Sequence, residues 1–205
     1  MNKVWVKKST TKRLFIAIPL PKRWQQVLTL YQHDAKSERI TGTVPTRWTD
    51  RWNLHITIRF IGSINESCIP KLIQTLRGFV GSIHPFVLPF QYFEFATPKE
   101  PKMIWARFAN TEEFHALVRT CTKILAQFLH DDCGGMKLHN GHHVIPHVTV
   151  ARLKGDADRA GKLSSPVNVP EDLAVTSLVL NESKTLPNGS VYRTLPKFHL
   201  PSRKR

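Results

Sequence analysis

Leu54-His55-Ile56-Thr57-Ile58-Arg59-Phe60 alternates apolar and polar side chains, and Pro146-His147-Val148-Thr149-Val150 repeats the pattern far along the chain. Period-two alternation is the signature of a strand with one face buried. In the first stretch Leu54, Ile56, Ile58 and Phe60 are assigned to the buried face. His55, Thr57 and Arg59 then project together from the other. The second stretch presents His147 and Thr149 in the same way.

Outward from these strands the chain shows a duplication. Leu14 to Ile18 is a short apolar run closed by Pro19-Leu20-Pro21, a strand followed by a helix start. Trp24, Val27, Leu28 and Tyr31 follow at helical spacing, and a loop with Gly42 and Pro45 leads to His55. Later, Met103 to Phe108 forms a strand, and Phe114, Leu117, Val118, Cys121, Ile124, Leu125, Phe128 and Leu129 keep a helical stripe. A polar loop then leads to His147. From Ile16 to His55 is 39 positions and from Trp105 to His147 is 42. Two similar units therefore each end in a strand bearing His-x-Thr, and two lobes facing one another are expected. Between them lies a helix marked by Ile69, Leu72, Ile73, Leu76 and Phe79, with its cap expected in the Ser63 to Asn65 region. Phe86–Ala96 pairs with Met103–Phe108 as a hairpin. Leu173 to Leu180 and Val191 to Phe198 close the chain as strands joined through Pro187-Asn188-Gly189.

The balance of charge restricts the partner. The 205 residues carry 30 Lys+Arg against 15 Asp+Glu, a net charge of +15, which points to a polyanion, RNA or DNA first. A 41% hydrophobic content argues for a folded chain. A single domain over residues 12–198 is expected, between a basic N-terminal extension (1–11) and a basic tail (199–205). No apolar run is long enough to span a membrane. Cys68, Cys121 and Cys133 are odd in number and widely spaced, so free thiols in a reducing, cytoplasmic compartment are expected.

One His-x-Thr on a strand is ordinary surface. Two on equivalent strands of a duplicated fold bring His55, Thr57, His147 and Thr149 around one cleft, and that combination has a chemical use. Cleaving a phosphodiester needs a base for the attacking oxygen and an acid for the leaving oxygen across phosphorus. Histidine does either job near neutral pH. Threonine hydroxyls can hold the non-bridging oxygens. This reasoning requires one acid and one base without saying which is which, and it requires no metal or other cofactor.

These residues resemble the LigT-like RNA 2',3'-cyclic phosphodiesterases of the 2H phosphoesterase superfamily. The likeness extends over Arg13 to Pro21, over Trp48 with Asn53 to Gly62, over Pro146 to Arg152, and over Tyr192-Arg193-Thr194-Leu195. It implies an α+β, bilobal 2H phosphoesterase fold, with two pseudo-symmetric antiparallel-sheet lobes and outer helices around a central groove. It further implies His55 as proton donor, His147 as proton acceptor, and Thr57, Thr149 and Arg152 as phosphate contacts. The reaction implied is hydrolysis of a terminal 2',3'-cyclic phosphate of RNA to a 2'-phosphate, and some members join RNA ends through a 2'–5' linkage. Strict alternation from His147 puts Arg152 on the wrong face, so its role demands a bulge in the strand. Arg59, by parity, and Tyr192 are candidate RNA contacts, and the protein is expected to act as a monomer.

Within the enzyme class the alternative is a 2'–5' RNA ligase or phosphodiesterase, or a cyclic phosphodiesterase acting on a small nucleotide, and two rivals from other classes stand beside it. Cys133, His139, His142 and His143 cluster before His147 as a candidate metal site, although their spacing fits no standard zinc pattern. A non-catalytic RNA-binding module would use the basic surface with Trp48, Trp52, Phe93 or Tyr192 as stacking platforms.

Overall fold

The structure is a computed structural model that describes residues 10–96, 102–129, 133, 144–154, 161–163, 169, 172–187 and 189–201. The histidine-rich segment with His139, His142 and His143, and nearly all of both basic ends, lie outside the described residues.

Apolar alternation and β-branched runs build ten strands among the described residues. They are β1 (Thr11–Pro19), β2 (Thr46–Trp48), β3 (His55–Asn65), β4 (Phe86–Ala96), β5 (Met103–Phe108), β6 (His147–Leu153), β7 (Gly161–Leu163), β8 (Asp172–Val175), β9 (Ser177–Leu186) and β10 (Gly189–His199). Amphipathic stripes form α1 (Lys22–Ser37), α2 (Ile69–Val80) and α3 (Glu112–Leu129). The strands pair as one antiparallel sheet in the order β10-β9-β1-β3-β6-β5-β4-β7, with β2 added on β6 and β8 on β4. The result is an α+β fold with a curled half-barrel sheet. The two expected lobes are its halves, and they join where Ile56 of β3 pairs with Val148 of β6. These are the middle residues of the two His-x-Thr motifs, so the pseudo-twofold axis passes through the site.

Helices α1 and α3 each pack under the other half. Trp24 of α1 meets Phe90 of β4 and Phe108 of β5, and Tyr31 stacks on Phe93 with ring centroids 3.8 Å apart. From the second unit, α3 packs on β3 of the first. One core therefore serves both halves, running through Ile16, Ile56, Leu72, Phe93, Phe114 and Val148. Phe93 is part of this core, which removes it from the candidate stacking platforms.

Three expectations need correction. The capping region expected at Ser63 to Asn65 is the end of β3, which runs on to pair Asn65 with Thr11; α2 begins at Ile69. Phe60, assigned to the buried face, is 57% exposed. The cysteines are not all free: Cys68 and Cys133 form a disulfide with Cα atoms 5.7 Å apart, and Cys121 is a buried thiol. Their separation of 65 residues hid their proximity. The sheet creates it by bringing the end of β3 beside the chain after α3, where Asn65 N–H donates to the Cys133 carbonyl. A disulfide also removes the basis on which a reducing compartment was expected. Among the described residues no helix is long and apolar enough to cross a membrane.

Candidate active site

Both histidines are held by the same device. The Nδ1–H of His55 donates to the Asn53 carbonyl at 2.6 Å, and that of His147 donates to the Ile145 carbonyl at 2.7 Å. A carbonyl only accepts, so Nδ1 carries the proton in each neutral ring and Nε2 is left for chemistry. Thr57 Oγ1 donates to His55 Nε2 at 3.1 Å. Both rings, with Thr57 and Thr149, line one cavity of about 270 Å³. No carboxylate stands among its described lining residues, which also include Thr49, Asn53, Met103 and Trp105.

Bulges decide what else reaches the cavity. In β3 the pairing with β1 runs Ala17–Thr57, then Ile16–Arg59, leaving Ile58 as an extra residue. In β6 the pairing with β5 runs Trp105–Thr149, then Ile104–Ala151, leaving Val150 extra. Each bulge falls one residue after the threonine and resets the alternation. The fifth residue after each histidine therefore turns into the groove: Phe60 in one half, Arg152 in the other, and both line the cavity. The bulge required for Arg152 is present.

The same event excludes Arg59, which simple parity placed beside Thr57. Its cross-strand partner is Ile16, a residue of the helix-side core, and it does not line the cavity. Burial pushes the Cys121 thiol of α3 up to about 12, and the nearby Arg59 charge opposes that shift. Arg59 is thus directed toward α3 and away from the groove.

The β6 bulge is itself held. The Val150 carbonyl accepts from Thr49 N–H at 2.9 Å and from Gln32 Nε2 at 3.0 Å, and the same Gln32 amide donates to the Thr49 carbonyl at 2.8 Å. Sequence reading passed over Gln32 as one polar residue of α1. The available signal was a polar residue among buried helix positions, since Gln32 is only 6% exposed.

Aromatic neighbours orient the imidazoles. Phe15 and Tyr192 approach His55 with centroids at 4.9 and 5.3 Å. Trp105 stacks on His147 at 3.9 Å, a contact no sequence pattern announced because Trp105 served only to mark a strand. Of the other aromatic candidates, Trp48 packs against the core. Trp52 is 77% exposed and does not line the cavity.

Both rings are disposed to be neutral. Burial lowers His55 to about 4 against the stabilising Asn53 carbonyl, with smaller contributions from the charges of His147 and Arg152. Burial likewise lowers His147 against its Ile145 carbonyl, helped by Arg107 and Arg152. As for metal, Cys133 sulfur is bonded to Cys68, and among the described residues no group of three ligating side chains is assembled.

A half-barrel sheet with two inward His-x-Thr motifs defines a 2H phosphoesterase. The model of the 2'-5' RNA ligase superfamily matches residues 32–183, and the chain belongs to that family. A relative from Methanothermobacter thermautotrophicus named RNA 2',3'-cyclic phosphodiesterase is 23% identical, covering 92% of this chain and 98% of its own. One of the same name from Thermotoga maritima is 26% identical over 72% of this chain and 76% of its own. Among solved structures, a Thermus thermophilus protein superposes with a TM-score of 0.75 at 23% identity, covering 94% of this chain and all (100%) of its own. Apo E. coli LigT superposes at 0.68 and 21% identity, covering 94% and 99%.

Proposed function

We propose that the protein hydrolyses a terminal 2',3'-cyclic phosphate of RNA to a 2'-phosphate, with His147 as general base and His55 as general acid. The observation that carries this is the paired presentation of two Nε2 atoms, each fixed through Nδ1 to a backbone carbonyl, toward one cavity with no carboxylate among its described lining residues. The names borne by the relatives support the choice of RNA as substrate.

In the reaction His147 Nε2 takes a proton from water as its oxygen bonds to phosphorus. The P–O3' bond opens on the opposite side, and the departing oxygen takes the proton of His55 Nε2. Thr57, Thr149 and Arg152 hold the non-bridging oxygens, so charge builds up where donors already point. The two histidines end in exchanged protonation states and reset through solvent.

The assignment of roles is the one the family resemblance implies. Burial, with the Arg107 and Arg152 charges adding to it, keeps His147 neutral, which suits a base. His55, lowered to about 4 in the free protein, becomes an acid when an anionic phosphate lies against it and offsets the Arg152 charge.

The test is hydrolysis in EDTA of a short RNA ending in a 2',3'-cyclic phosphate, comparing the parent with His55→Ala and His147→Ala and locating the phosphate in the product. A 2'-phosphate formed by the parent and by neither variant is expected. RNA bound without turnover would replace the hydrolase with a binding module.

A further inference from the structure

A second cavity of about 290 Å³ opens from the first, sharing Thr49, Asn53, Arg152 and Tyr192 with it and running between β2 and the β9–β10 hairpin. Its walls differ in chemistry. One carries Arg47 and Arg152, whose Cα atoms pair across the β2–β6 ladder. The other carries Leu186 and Val191, large aliphatic side chains left 50% and 51% exposed. Guanidinium beside bare aliphatic surface suits a nucleotide, because a phosphate takes charge-assisted hydrogen bonds and a base covers apolar area.

The turn between β9 and β10 is shaped to let Arg47 in. Gly189 adopts φ +134°, and a Cβ there would stand 3.3 Å from Arg47 Nη1. Glycine therefore supplies the backbone conformation and also the space along which the arginine lies. Among the described residues Arg47 has no carboxylate partner. Asp50, also on the lining, is an acceptor suited to a ribose hydroxyl or a base N–H.

With a cyclic phosphate in the first cavity, the rest of an RNA chain leaves from the 5' side of the terminal nucleotide. Arg152 stands on the wall common to both cavities, so the second is the adjoining exit. We propose that this cavity is a subsite for the nucleotide immediately upstream of the cyclic phosphate, with Arg47 on the internucleotide phosphate and the base against Leu186 and Val191. The inference rests on the function proposed above and adds the site by which an RNA end is preferred to a free cyclic mononucleotide.

The experiment compares kcat/KM for a dinucleotide ending in a 2',3'-cyclic phosphate with that for the cyclic mononucleotide, in the parent, Arg47→Gln and Arg47→Lys. The parent is expected to favour the dinucleotide by about tenfold or more, the worth of one charge-assisted contact. Arg47→Gln should abolish that preference and leave the mononucleotide rate unchanged, with Arg47→Lys intermediate. The salt dependence of the dinucleotide reaction should also weaken by about one phosphate contact. Equal rates on both substrates in the parent, or a proportional loss on both in Arg47→Gln, would overturn the subsite while leaving the hydrolase reading intact. No turnover of either substrate would overturn that reading, and the subsite with it.

Discussion

The two halves of the groove present their histidines alike and surround them differently. Register makes the comparison residue by residue. Pro19 faces His55 where Arg107 faces His147, Ala17 faces Thr57 where Trp105 faces Thr149, and Phe15 faces Phe60 where Met103 faces Arg152. Backbone features are repeated: the carbonyl two residues before each histidine, and the bulge one residue after each threonine. Side chains have diverged: the Arg107 charge acts on His147, on which Trp105 stacks, Phe15 and Tyr192 flank His55, and the Arg152 charge reaches both rings. Duplication of backbone gives equivalent presentation, and in the proposed mechanism unequal neighbours set the two rings apart as acid and base.

The sharpest way to break this comparison is to remove one ring at a time. General acid or base catalysis is worth roughly 10² to 10⁴ in rate, so His55→Ala and His147→Ala should each cost about 3 to 5 kcal/mol in barrier. Single-turnover rates measured on folded variants check this. Full activity in either variant would dissolve the pair.

The Cys68–Cys133 disulfide ties the chain after β3 of the first half to the chain after α3 of the second. For a bridge spanning 65 residues, loss of the cross-link is expected to cost about 2 to 4 kcal/mol of stability. Denaturant melts of Cys68→Ser against the parent measure it. An unchanged midpoint would show that the halves are held by their shared core alone.

The threonines separate the halves further. Thr57 already donates to His55 Nε2, so in the proposed mechanism its hydroxyl serves the ring as well as the phosphate. Thr57→Ala and Thr149→Ala should each lower kcat by about tenfold to a hundredfold, the range of one lost donor to a charged oxygen. Only Thr57→Ala should also move the pH profile. Identical profiles for the two variants would remove this asymmetry.

Acidity gives the smallest effect per unit change. Both histidines are lowered below their ordinary value, His55 to about 4, so both limbs of the kcat/KM profile should lie below pH 6.5. The kcat optimum should lie higher, because bound phosphate favours imidazolium. For stability, the unfolded chain binds protons between pH 6.5 and 4 that the folded His55 refuses. Stability therefore rises with pH across that window and is lost as pH falls, by at most about 1.4 kcal/mol per pH unit for this group. Melts of the parent and His55→Gln at pH 7 and pH 5 check the sign; an equal loss in both would remove His55 as the cause.

Much of the molecule was legible in its residues. Period-two and helical spacing located the two motif strands, the three helices and the groove-facing character of His55, Thr57, His147 and Thr149, because these depend on local geometry and on which side chains avoid water. The positions of Arg152, Arg59 and Phe60 were not local in this sense. Parity along a strand holds only while every residue is paired, and the register imposed by β1 and β5 leaves Ile58 and Val150 out of the count. Arg152 could be suspected of needing a bulge, while nothing in β3 alone announced that Arg59 would turn toward the core and Phe60 into the groove. Trp105 on His147, Gln32 on the bulge and Cys68 on Cys133 belong to the same class. Each joins segments far apart in the chain, so each was settled by how the sheet closes around its shared core.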